Sequence, residues 1–160
     1  MSSSHSHLSP LLFNEKTNEP YLRLPLPHTN IILTPPRDAD NEAIVKIMND
    51  QRVFQWLEST PYPYYLEHAK AWLEVTSRQA NTVLQQLEET PGGFVGGCPV
   101  RILREVKDNG EESFLGDCGI GKWGFADILD PGEREKARRE NDQRPPGDPG
   151  TVWGFGGATW

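Results

Sequence analysis

Apolar residues recur along this chain in two periods. Asn30-Ile31-Ile32-Leu33-Thr34 is a β-branched run closed by Pro35-Pro36, which predicts a strand. Ala43, Ile44, Ile47 and Met48 follow at helical spacing, with Asp38 or Asp40 as the N-cap, so a helix extends to about Asn49. Leu66, Ala69, Leu73, Thr76, Ala80, Val83 and Leu87 step by three and four residues and form one apolar stripe on a long helix. Glu67 favours its positive dipole end, and Pro91-Gly92-Gly93 stops it.

Alternation then replaces the helical period. A strand runs from Val100 through Ile102 to Val106, and a second from Phe114 to Trp123, with Leu115, Cys118 and Ile120 as core candidates. Asn109-Gly110 between them is a hairpin signal. Residues 127–150 carry seven acidic and five basic side chains among four prolines. Asp130-Pro131 starts a short helix there, but it has almost no apolar face and reads as a solvated excursion. Thr151-Val152-Trp153 resumes strand character. Residues 1–28 form a flexible Ser/Pro/Asn-rich lead-in, in which Leu22, Leu24 and Leu26 alternate but Pro25 and Pro27 allow only an edge strand or none. The element order is β-α-α-β-β-loop-β. It predicts an α/β fold, with a mostly antiparallel sheet of about four strands and two helices in one domain spanning residues 29–160.

Composition narrows the function. A net charge of −7 disfavours nucleic acid and anionic membranes, both of which call for a basic face. The N-terminus lacks a signal-peptide pattern and no run approaches a membrane span, so the expectation is a cytoplasmic protein. Cys98 and Cys118 are too few for a disulfide scaffold and read as reduced core thiols. His5 and His7 sit in the lead-in without a third ligand, so no metal site is expected.

Three Gly-rich runs, at 92–97, 119–124 and 154–157, are not followed by helices and read as turns, bulges or close backbone approaches. Trp56, Tyr62, Tyr64 and Tyr65 lie between the two helices. They either line a substrate cleft or pin a loop by packing. Asp117, Glu105 and His68 are the acid/base candidates near the sheet, and strand alternation turns the two carboxylates toward solvent.

These residues together support a resemblance. Ile31-Ile32-Leu33-Thr34-Pro35-Pro36-Arg37-Asp38-Ala39-Asp40 resembles the opening strand and helix of the GNAT N-acetyltransferases, in the branch of the ribosomal-protein N-acetyltransferases. Asn49-Asp50-Gln51-Arg52-Val53 resembles that branch's Asn-Asp-x-x-Val turn. Pro61-Tyr62-Pro63-Tyr64 with Ala69, Trp72 and Leu73 resembles the approach to its second helix. Gly97-Cys98-Pro99-Val100-Arg101 and Phe114-Leu115-Gly116-Asp117-Cys118-Gly119-Ile120-Gly121 look like its second and third strands as fungal members write them. The excursion that ends at Trp153 is similar to theirs as well.

The resemblance covers residues 30–153. It implies acetyl transfer from acetyl-CoA to an amine of a small molecule or peptide, by direct attack on the thioester. Trp56, Tyr62, Tyr64 and Asp117 are then substrate-side candidates. The backbone of the fourth strand would polarise the thioester carbonyl, which leaves Trp153, Gly154 and Phe155 for the cofactor; no catalytic residue is assigned. Two departures stand out. Tyr65 replaces a Thr N-cap, a loss of about 1 kcal/mol. The family's Arg/Gln-x-x-Gly-x-Gly/Ala loop, which seats the pyrophosphate, has no counterpart after Gly154. The expectation is a GNAT relative truncated before that loop, weak or inactive alone. The alternative is a non-catalytic module whose unfinished sheet edge, near 152–155, pairs with its own copy or another GNAT chain.

Overall fold

The computed structural model describes residues 8–57 and 60–159. Its strands are β1 (Leu12–Asn14), β2 (Glu19–Arg23), β3 (Ile31–Thr34), β4 (Ile102–Val106), β5 (Glu112–Lys122) and β6 (Trp153–Thr159). They form one antiparallel sheet in chain order, β1 to β6. The helices are α1 (Asn41–Met48), α2 (Gln51–Phe54), α3 (Leu66–Glu89) and α4 (Pro131–Asp142). The α/β class therefore holds, but among the described residues the sheet has six strands rather than about four, and there are four α-helices rather than two.

Both added strands lie in the lead-in. Tyr21 pairs with Leu12 and Leu22 with Leu33, so β2 joins the hairpin β1–β2 to β3. The strand ends at Arg23, ahead of Pro25, because proline supplies no N–H for the ladder. Charge holds this edge in place. Glu19 accepts from the Arg37 guanidinium, and Arg37 Nη1 also lies 2.7 Å from Glu112 Oε2.

The core sits where α1 and α3 meet the sheet. Ile44, Tyr64, Ala69 and Leu73 form a buried cluster against which Met48, Trp72 and Phe114 pack. Within the α3 stripe, Ala69, Leu73, Thr76, Ala80 and Val83 are buried, but Leu66 stays exposed and Leu87 is half-buried. On β5 the expected core set fails. Leu115 and Cys118 are only half-buried and Ile120 is 50% exposed. The cause is a register shift: Leu103 pairs with Gly116 while Arg104 pairs with Phe114, leaving Leu115 as the extra residue of a bulge. One inserted residue reverses the alternation, so Phe114 and Asp117 face the same cavity.

A buried ion pair crosses this architecture. Arg104 of β4 donates Nη1–H and Nη2–H to Asp40 at 2.8 and 2.9 Å and Nε–H to Thr34 Oγ1 at 2.8 Å. Asp40 occupies the N-cap position of α1, yet its carboxylate turns to Arg104 and accepts the Arg37 N–H instead of capping the helix.

The charged excursion is helical over 131–142, started by Asp130, which accepts the Glu133 N–H at 2.8 Å. Asn141 is its one buried residue, and it clamps the root of the β5–β6 pair. Asn141 Nδ2 donates to Val152 O at 2.8 Å, and its Oδ1 accepts the Val152 N–H at 2.9 Å. Lys122 Nζ donates to Asp142 O and Arg144 O at 2.9 and 2.7 Å, which suits the negative end of α4. No helix among the described residues is long and apolar enough to cross a membrane.

Candidate functional site

The segment between α1 and α3 is organised by one amide. Asn49 Nδ2 donates to Val45 O and Tyr64 O at 2.9 and 2.7 Å, and Asn49 Oδ1 accepts the Tyr64 N–H at 2.9 Å. This ties the C-terminus of α1 to the approach to α3. Asp50 then caps α2 by accepting the Arg52 N–H at 2.9 Å. The Arg52 guanidinium hydrogen-bonds the same carboxylate and holds its pKa down to about 2. At the start of α3 the N-cap residue Tyr65 makes no side-chain cap bond, but its own N–H donates to His68 Nδ1 at 3.1 Å. That bond places the proton of a neutral His68 on Nε2.

A cavity of about 360 Å³ opens beneath this segment. Ile44, Met48, Leu57, Trp72 and Phe114 make most of its wall, with Thr60, Tyr64 and Asp117 as its polar side chains and Gly157 of β6 at one margin. Among the described residues no cationic side chain lines it. Tyr64 is buried to 6% exposure, its ring edge-on to His68 at 5.3 Å. Burial pushes the Tyr64 hydroxyl above its ordinary pKa of 10.0, so it is a neutral phenol at physiological pH.

Asp117 is held rigidly. Its two carboxylate oxygens accept Nε–H and Nη2–H of Arg101 at 2.5 and 3.0 Å, and the Arg101 guanidinium lies over the Trp72 ring at 4.9 Å. The bidentate pair fixes the orientation of this carboxylate. Asp117 is not the solvent-facing position that strand alternation implied.

The structure therefore brings together two of the four substrate-side candidates, Tyr64 and Asp117. Trp56 and Tyr62 lie outside the cavity lining and are 78% and 62% exposed. Tyr62 stacks on Phe54 with ring centroids 4.3 Å apart, so it serves packing of the segment. Glu105 is remote from the cavity, bonded by Asn30 Nδ2 at 3.3 Å. Trp72 and Arg101 were missed as site residues. Trp72 was legible as part of a helix motif, but the Arg101–Asp117 pair spans two strands and had no local signal.

The β5–β6 ladder sets the direction of each backbone group. The Trp123 N–H donates to Val152 O at 2.9 Å, and Gly121 pairs with Gly154 and Gly119 with Gly156. Val152, Gly154 and Gly156 thus point their polar groups at β5, and Trp153, Phe155 and Gly157 point theirs outward. Of the three residues named for the cofactor, Trp153 and Phe155 offer free backbone there and Gly154 does not.

These outward amides suit a carbonyl or amide oxygen. The cations of this strand pair are committed: Arg101 to Asp117, and Lys122 to the carbonyls that end α4.

The thiols are free and half-buried. Cys98 Sγ–H donates to Val100 O at 3.2 Å, while burial, then the Asp117 charge, pushes the Cys118 thiol above its ordinary 9.0. Among the described residues no group of three or more His, Cys, Asp or Glu side chains could hold a metal, and His5 and His7 lie outside those residues.

Comparison of the chain with family models, characterised proteins and solved structures finds no match.

Proposed function

We propose that this chain is a relative of the GNAT N-acetyltransferases and carries the acceptor side of a site for acetyl transfer from acetyl-CoA to an amine. One observation carries the reading. Tyr64 and Asp117, named from the resembling motifs, share a cavity with Gly157 of β6, the strand that stands in the place of the family's fourth. From β3 onward the element order supports it: a strand, two short helices, a long helix, then three antiparallel strands interrupted by a charged excursion, with β1 and β2 added ahead.

Acetyl-CoA would supply an activated acetyl thioester. The chain's own part is to seat the amine in an apolar cavity, to exclude water from it, and to present the outward Gly157 N–H at its margin as a donor for a carbonyl oxygen. No step is assigned to the phosphates of the cofactor.

Titration of acetyl-CoA into folded protein, followed by thiol release in the presence of amines, tests this. Micromolar binding with amine-dependent thiol release is expected. No heat from protein shown to be folded removes the acetyl-transfer reading.

A second reading is a module that pairs through β6 with a second copy of itself. The outer edge of β6 pairs with no described strand, and the sequence Trp153-Gly154-Phe155-Gly156-Gly157-Ala158-Thr159 carries no charge in a chain of net charge −7. Two such edges meet about a two-fold axis without like-charge repulsion. Phe155→Pro deletes an outward N–H and no β5–β6 bond. It should convert a dimer to a monomer on light scattering; a monomeric parent protein sinks this reading.

A further inference from the structure

We infer that the cavity between α1, α3 and β5 binds a primary amine with an apolar, aromatic-sized body, its ammonium on the Asp117 carboxylate. The inference deepens the proposed acceptor site and depends on it only for the fate of the amine; binding itself needs no acetyl-CoA.

The argument starts from the two ends of one ion pair. Asp117 lines the cavity and Arg101 does not. The guanidinium lies in the neighbouring groove, whose wall includes Gln79 of α3, Gly119 of β5 and Asp117 itself. The carboxylate thus borders the apolar chamber and the groove alike, while the guanidinium, stacked on the far side of the Trp72 wall, does not line the chamber. Each Asp117 oxygen accepts one Arg101 N–H, which leaves a lone pair on each. A ligand entering this chamber meets fixed, partly desolvated acceptors on a half-buried carboxylate that Arg101 keeps oriented. An ammonium, with three donors and a positive charge, satisfies them.

The rest of the wall selects the body. Ile44, Met48, Leu57 and Phe114 are apolar and Trp72 is a flat aromatic, so a hydrocarbon or ring is favoured over a polyol. A volume of about 360 Å³ lies near the small end of ligand pockets, roughly 300–1,000 Å³, and suits one ring on a short chain. A carboxylate of the same shape would face Asp117 with like charge. The net charge of −7 also draws cations rather than anions to the surface.

The test is calorimetric titration of the full chain with phenethylamine, phenethyl alcohol and phenylpropanoate, which share a body and differ in head group. Phenethylamine should bind and phenylpropanoate should not. Asp117→Asn should weaken the amine by about tenfold or more. Since that variant strands Arg101, the double variant Arg101→Gln/Asp117→Asn, which leaves no orphan charge, is measured with it. Circular dichroism establishes that both are folded. Equal binding of amine and acid, or amine affinity unchanged in the folded double variant, overturns the inference.

The two readings fail separately. Amine binding without acetyl transfer supports the inference and removes the transfer reading. Acetyl transfer whose amine affinity is indifferent to Asp117 does the reverse.

Discussion

Arg104 and Asp40, 64 residues apart in the chain, form a bidentate pair at 2.8 and 2.9 Å with side chains only 5% and 3% exposed. It joins β4 to the start of α1 and lies beside Glu112, 4.0 Å from Arg104 Nε. Removing Arg104 leaves the buried Asp40 carboxylate without its cation, and removing Asp40 leaves Arg104 with only Glu112 at 4.0 Å. Arg104→Met or Asp40→Leu should each cost about 3–5 kcal/mol of stability. The double variant should cost less than the sum of the two, because no charge is stranded. Urea denaturation of the four proteins measures the coupling; additive losses would show that the pair is not the unit.

Asn141 is the one buried side chain of an otherwise solvated helix. Asn141→Ala removes its donated and accepted bonds to Val152, each worth about 1 kcal/mol, and should lower stability by about 2 kcal/mol. Hydrogen exchange should quicken along α4 and at the start of β6. Lys136→Ala, on the exposed face, should change stability by less than about 0.5 kcal/mol.

Gly157 sits against the neighbouring strand. A Cβ there would lie 2.3 Å from Asp117 O, a backbone atom that cannot step aside. Gly157→Ala should therefore push β6 off β5 and cost about 1–3 kcal/mol, seen by thermal unfolding and by faster exchange of β6 amides. Gly121→Ala meets nothing within 4 Å and should be nearly neutral.

The Tyr64 phenol gives a signed pH dependence. Burial raises its pKa above the ordinary 10.0, so the folded state holds this proton more tightly than the unfolded state does. Stability from this group is fully present below pH 10.0 and is lost as pH climbs through the folded value. Tyr64→Phe should flatten that alkaline decline in urea titrations run at successive pH values. An unchanged slope would place the alkaline limit elsewhere.

The Cys118 thiol is likewise raised from its ordinary 9.0, first by burial and then by the Asp117 carboxylate. Since the thiolate is the nucleophile, alkylation of Cys118 by iodoacetamide at pH 8 should run several-fold slower than that of a free cysteine. Unfolding in urea should abolish the difference. Equal rates in folded and unfolded protein would contradict the burial argument.

Much of the framework was legible. The strand over 31–34, the long helix over 66–89 and the turn at Gly110, where φ is +82°, follow from β-branched runs, helical spacing and an Asn-Gly pair. These signals are local, and each is decided within a few residues. The site was legible in half. Tyr64 and Asp117 were singled out, but the sequence reading set Trp56 and Tyr62 beside Tyr64 as equals. Proximity in the chain does not say which ring turns inward; the Asn49 amide decides it by fixing Tyr64 and leaving its neighbours outside.

By itself, then, the sequence determined the strands over 31–34, 102–106 and 112–122, the helices over 41–48 and 66–89, and the acidic charge, because propensity, periodicity and composition act at short range. Tertiary structure decided the rest. Lead-in strand β2 joins β3 through pairing that Glu19 and Arg37 reinforce from 18 residues apart, and glycine-rich β6 is a strand because β5 offers it an edge. The extra residue at Leu115 turned Asp117 into the cavity, and Arg101 fixed it there. Each outcome rests on a partner distant in sequence, whose contribution exists only once the chain has closed on itself.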